Sequence, residues 1–211
     1  MSIDDLYHRV VEVPVIEFKI DHLGYADMPY SYPITDSDLY VTITAATNTN
    51  ITDINTTLSE LDKRVAGTVF QLFDADKITN QHQLYYAAAN AYYAMESGGN
   101  ISNKLDVETL LYASAQNQIS KAIKLIGVSS KTRRIAVVVV SEQENDLTAS
   151  KVADILGDVD DKALEMDQGK FEALKKLYEI TDTAIETVGC DRYKALTSLI
   201  TEKSTLISLR R

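Results

Sequence analysis

The spacing of apolar residues changes several times along the chain, and each change marks an element. Leu39, Val41 and Ile43 alternate with Tyr40, Thr42 and Thr44, which predicts a strand over residues 39–45. Thr52 or Asp53 can open a helix that buries Ile54, Leu58 and Leu61 and ends near Arg64 to Gly67. Residues 69–73 (VFQLF) predict a second strand. Asn80 is the expected N-cap of a long helix with Leu84, Ala88, Tyr92 and Met95 as its stripe, stopped by Gly98 and Gly99.

The organising stretch is 107–140. Residues 107–113 are rich in Val, Thr, Leu and Tyr and predict a strand. Ser114 to Asn117 can cap a helix whose apolar face is Ile119, Ala122, Ile123 and Ile126, with Gly127 placed for a left-handed C-cap. Residues 135–140 (IAVVVV) form a β-branched run too short for a buried helix, so a strand covered on both faces is expected. A short helix over 149–156 ends at Gly157, and 158–166 is an acidic connector. Phe171, Leu174, Leu177 and Tyr178 stripe a helix over 170–180. Asp191 can cap a last helix striped by Tyr193, Leu196, Leu199 and Ile200, and 204–209 finish as a short strand or tail.

That order implies an α/β fold: about four strands in a mixed sheet, with helices packed on its faces. Residues 1–37 differ. They hold all three prolines and seven acids against two bases, and Val11, Val13 and Val15 alternate before Ile16, Phe18 and Ile20 alternate in the opposite phase. The shift beside Pro14 predicts an edge strand with a bulge. The segment reads as an N-terminal arm packed on a single domain over 38–211.

Composition narrows the function. The 211 residues carry a formal charge of -10, so nucleic acid can be met only through a local basic patch. No apolar run approaches the roughly 20 residues that span a bilayer, and the first residues lack a signal-peptide core. A single cysteine, Cys190, excludes an intrachain disulfide and points to a reducing, cytoplasmic setting.

Catalytic signals are weak. His8, His22 and His82 stand alone, without metal-ligand spacing. Neither a glycine-rich phosphate loop nor a Gly-x-Ser-x-Gly elbow occurs. Asp158, Asp160, Asp161, Glu165 and Asp167 cluster, but lack the Gly and terminal Glu of a calcium loop, and a solvated acidic face explains them more simply. Cys190 follows Gly189 near a helix start, where a thiolate is favoured; a structural cysteine is the plainer reading. A small α/β enzyme using Cys190 or the 158–167 loop stays open as an alternative, as does a structural homodimer.

The basic patch stands out. From Asn117 to Arg134 there are Lys121, Lys124, Lys131, Arg133 and Arg134, and no acid. The plain reading is that Lys121 and Lys124 complement the helix dipole. With Gln116, Asn117 and Gln118 at the helix start, the patch also suits a phosphate or a single-stranded base.

Three blocks in order carry a resemblance over about 39–211: ASAQNQI at 113–119 with AIKLIG at 122–127, FQLFDAD at 70–76, and KLYEI at 176–180. They resemble the smallest core subunit of the KEOPS complex. The resemblance implies a non-catalytic protein, without cofactor or metal, that binds and stimulates the complex's small atypical kinase. It also implies capture of the 3′ CCA end of tRNA for N6-threonylcarbamoyladenosine synthesis. The motif residues Gln116, Asn117, Gln118, Lys121 and Lys124 become tRNA contacts, with Arg133 and Arg134 added on charge. Leu174, Leu177, Tyr178, Tyr193, Leu196 and Ile200 are the expected kinase face, against the plainer reading that they close the core. Ala115 stands where the family pattern has Gly, so a turn needing positive φ would be strained there.

Overall fold

Ile135–Ser141 forms the central strand of the sheet, and every residue of it through Val140 is buried. Alternation sends Ile135, Val137 and Val139 to one face and Ala136, Val138 and Val140 to the other, each into its own core. The expectation for this run holds. A computed structural model describes residues 29–144 and 146–209.

In chain order the strands are β1 (Tyr30–Pro33), β2 (Tyr40–Thr47), β3 (Val69–Asp74), β4 (Ile135–Ser141) and β5 (Asp158–Val159). The sheet order is β1-β2-β4-β3, with β5 on β2. Helices α1 (Ile54–Arg64) and α5 (Asp146–Leu156) bury Leu61, Val152 and Leu156 on one face. The other face is covered by α2 (Gln81–Glu96), α3 (Leu105–Ser114), α4 (Ile119–Ile126), α6 (Gln168–Leu177), α7 (Asp182–Val188) and α8 (Arg192–Thr205). The fold is the expected α/β layering. Every described ladder is antiparallel, where a mixed sheet was expected. β2 and β3 do run parallel to each other, but β4 lies between them.

The main departure is residues 107–113, which are helical, inside α3. Thr109, Leu110, Leu111, Tyr112 and Ala113 are all buried, so no polar face marks the helical period. Asp106 and Glu108 in the first turn complement the helix N-terminus. Glu108 is fully buried, and its carboxylate accepts from the N–H groups of Ile101 (3.0 Å) and Ser102 (2.7 Å), holding the preceding loop.

Other boundaries follow the capping chemistry. Asp53 accepts from Thr56 N–H at 2.7 Å, Asn80 from His82 N–H at 3.0 Å and Asp191 from Tyr193 N–H at 3.0 Å. The short helix α7 gave no stripe to read, since Ile185 is its one buried residue. Residues 206–209 make a 3-10 turn, neither strand nor extended tail. Within the stretch read as an arm, Tyr30–Pro33 is the edge strand, pairing Tyr30 with Ile43 and Pro33 with Tyr40. The strand and bulge expected around Pro14 lie outside the described residues.

Candidate nucleic-acid site

The turn between α3 and α4 is set by Ala115. It has φ 52 and ψ 36, the left-handed region, at the C-cap of α3. Its N–H and that of Gln116 return to the Tyr112 and Leu111 carbonyls at 3.0 and 3.1 Å. The positive φ expected at this position is therefore present, with alanine bearing it. Gly127 differs from expectation: its φ is -68 and its ψ 157, so it is not a left-handed cap. Glycine is required there because a Cβ would lie 2.5 Å from the Ile123 carbonyl oxygen.

Helix α4 splits its apolar residues. Ala122 and Ile126 are fully buried, while Ile119 and Ile123 are 41% and 52% exposed. The single apolar face expected for these four is thus two faces, one in the core and one in an open groove. On the remaining side Lys121 and Lys124 meet Lys77, Gln116, Leu125 and Leu177 around a depression of about 340 Å³. Among the described residues, no carboxylate lines it. Lys77 and Leu125 were not singled out from the sequence; Lys77 lies in a short 3-10 turn that reads only as a turn.

A buried polar knot joins segments that carry these lining residues. Gln83 Nε2 donates to the Ala113 carbonyl and to the Tyr178 hydroxyl, both at 2.8 Å. Gln83 Oε1 accepts from the Thr79 N–H and hydroxyl at 2.8 and 2.9 Å. The Tyr178 hydroxyl reaches the Lys77 carbonyl at 3.1 Å. Burial pushes the Tyr178 phenol well above its usual range, so it stays neutral and can donate. α2, the end of α3, the Lys77 turn and the end of α6 are thus tied together.

The other basic residues are placed differently. Arg134 is half-buried and ion-paired with Asp76, and it does not line the depression. Arg133 is exposed, and its guanidinium donates to the carbonyls of Ser130 (3.0 Å) and Thr132 (3.2 Å). Lys77 pairs with Asp74 at 3.1 Å. Lys121, Lys124, Lys131 and Arg133 form no ion pair among the described residues. Asn117 and Gln118 are exposed at the start of α4. Lys170 is 6% exposed, and its amine has no hydrogen-bond partner among the described residues. Burial, reinforced by Arg134, pulls it down to about 8.

The expected kinase face is largely core. Leu174, Leu196 and Ile200 are fully buried, and Tyr178 is buried with its hydroxyl engaged in the knot. These four close the domain and offer no contact surface. Leu177 and Tyr193 remain half-buried. Arg192 stacks over Phe171 at 4.0 Å, beside the Tyr193 ring.

The residues named for an enzyme have other partners. Cys190 is exposed, its thiol reaching the Asp191 carbonyl at 3.5 Å. Asp160 caps a 3-10 turn, Asp167 caps α6, and Asp158 accepts from Asn48 at 2.8 Å. No group of acids, histidines or cysteines among the described residues is arranged to hold a metal ion.

The regulatory protein Cgi121 of Methanocaldococcus jannaschii is 28% identical over 115 residues, covering 54% of this chain and 72% of that protein. The family described as kinase binding protein CGI-121 matches residues 48–207, which include the strands β3 and β4 and all of the lysine depression. With the three sequence blocks and this match in the same place, the chain belongs to the CGI-121 family of kinase-binding regulatory proteins.

Proposed function

We propose that this chain is a non-catalytic subunit of the KEOPS complex that binds and stimulates its small atypical kinase and recruits tRNA by the 3′ CCA end. Kinase binding is the family's described property. The tRNA half of the reading is carried by one observation: Lys77, Gln116, Lys121 and Lys124 converge on a depression that no acid lines among the described residues, in a chain of formal charge -10. Lysines at its rim supply point charges for phosphates. Gln116 supplies an amide that can donate and accept at a base edge, and Leu125 and Leu177 give an apolar surface for a base to lie on. A depression this small suits a single-stranded end better than a duplex.

The chemistry needed of such a subunit is positional. It would hold the tRNA tail while its kinase partner occupies another face, for which Tyr193 and the Phe171–Arg192 stack are candidates. tRNA affinity should fall as salt rises, because lysine–phosphate contacts release counterions. Co-purification with the kinase, scored for complex formation and for the change in ATPase rate, tests the regulatory half. A stable complex with a raised rate is expected. Failure to associate would remove it.

A further inference from the structure

Helix α4 stands between two surfaces of opposite sign. Lys121 and Lys124 line the depression, which no acid lines among the described residues. Ile119 and Ile123 line a separate groove of about 710 Å³, together with Ile54 and Leu58 of α1. Phe70, Leu72 and Leu110 also line this groove and are buried, so its apolar surface is continuous with the core.

The fold does not account for the two isoleucines. Ala122 and Ile126 are fully buried and already seat α4 on the domain, whereas Ile119 and Ile123 stay exposed. They lie one helical turn apart, the spacing at which a partner helix is met. Adjoining exposed apolar side chains in a concave site mark a surface that binds.

The charge of the groove selects its occupant. Asp53, Asp62 and Asp106 line it, and no lysine or arginine does among the described residues. Asp62 and Asp106 form no ion pair among the described residues. Three carboxylates repel phosphate, so RNA belongs in the depression and not here. A second copy related by a two-fold axis would bring the same acids against each other. Residues 1–28 of the chain, with six acids against two bases, have the wrong sign. An apolar segment flanked by lysine or arginine matches both the surface and the charge.

We propose that this groove is the docking site for a cationic amphipathic helix of a protein partner. Its apolar side chains, spaced i, i+3 and i+4, would rest on Ile54, Leu58, Ile119 and Ile123, and its basic side chains would pair with Asp62 and Asp106. None of the residues offered above to RNA or to the kinase lines the groove. α4 would then carry a protein segment by its isoleucines and RNA by its lysines.

The test uses the full chain, isotope-labelled for NMR. The probe is a helix-forming peptide of leucine and lysine at amphipathic spacing, compared with a counterpart that has glutamate for every lysine. Shifts of the Leu58, Val107, Ile119 and Ile123 amides are expected with the lysine peptide only. Ile119→Ser/Ile123→Ser should weaken that binding at least about tenfold, and Asp62→Asn/Asp106→Asn at least about threefold, the second loss shrinking at high salt. Equal binding of the two peptides, or unchanged affinity in both folded variants, would overturn the proposal. So would the same amide shifts on adding a CCA-ended oligonucleotide, which would make RNA the occupant. A dimer in solution that Ile119→Ser/Ile123→Ser abolishes would make it a second copy and would overturn the proposal as well.

Discussion

Gln83 Nε2 donates to the Tyr178 hydroxyl at 2.8 Å inside the domain, joining the first turn of α2 to the residue that ends α6. The same amide holds the Ala113 carbonyl, so the turn carrying the family motif is anchored by two side chains far from it in sequence. Gln83→Leu should leave the buried Thr79 N–H and hydroxyl without their acceptor and the Tyr178 oxygen and Ala113 carbonyl without the amide that donates to them. A loss of about 3 kcal/mol is expected in chemical denaturation, and about 1–2 kcal/mol for Tyr178→Phe. A loss below 0.5 kcal/mol for both, on the order of a surface change, would show that the knot does not hold the site.

Ala115 sits at φ 52 where a residue without a Cβ would be relaxed. Ala115→Gly should therefore stabilise the fold, by about 1 kcal/mol, despite glycine's larger unfolded-state entropy. Thermal or urea midpoints check the sign. A destabilised variant would mean that the left-handed turn costs alanine nothing here.

Lys170 gives a pH signature. Its folded pKa, about 8, lies below the ordinary 10.5, so the unfolded chain binds more protons between those values. Stability from this group therefore rises with pH through that window, and the full penalty is present below about 8. Lys170→Met should stabilise the protein at pH 7 by about 1–3 kcal/mol. The gain should shrink as pH climbs toward 10.5. Denaturation curves of both proteins at several pH values check it; a gain independent of pH would contradict the assignment to the buried amine.

Much of this was legible in the chain, and the failures have physical causes. Strand β2 follows from alternation, β3 and β4 from short apolar runs, and the caps Asp53, Asn80 and Asp191 from side-chain oxygens before helices. Residues 107–113 misled because a helix buried on every side has no polar stripe, and Val, Thr and Tyr then suggest a strand. Leu174, Tyr178, Leu196 and Ile200 form regular stripes, but a stripe alone does not say whether it faces a core or a partner, and here it faces the core. At the site, Lys121, Lys124 and Gln116 were readable from local charge and motif. Lys77 was not, and Leu177 was read as kinase face, since long-range packing through Tyr178 brings them beside α4.

Binding of tRNA with and without its 3′ CCA tail, measured for the wild type and for Lys121→Glu/Lys124→Glu at a fixed moderate salt concentration, tests the account most directly. The wild type should prefer the tailed tRNA, and the folded double variant should lose both that preference and at least about tenfold in affinity. Equal affinity of wild type and variant for tailed tRNA would contradict it.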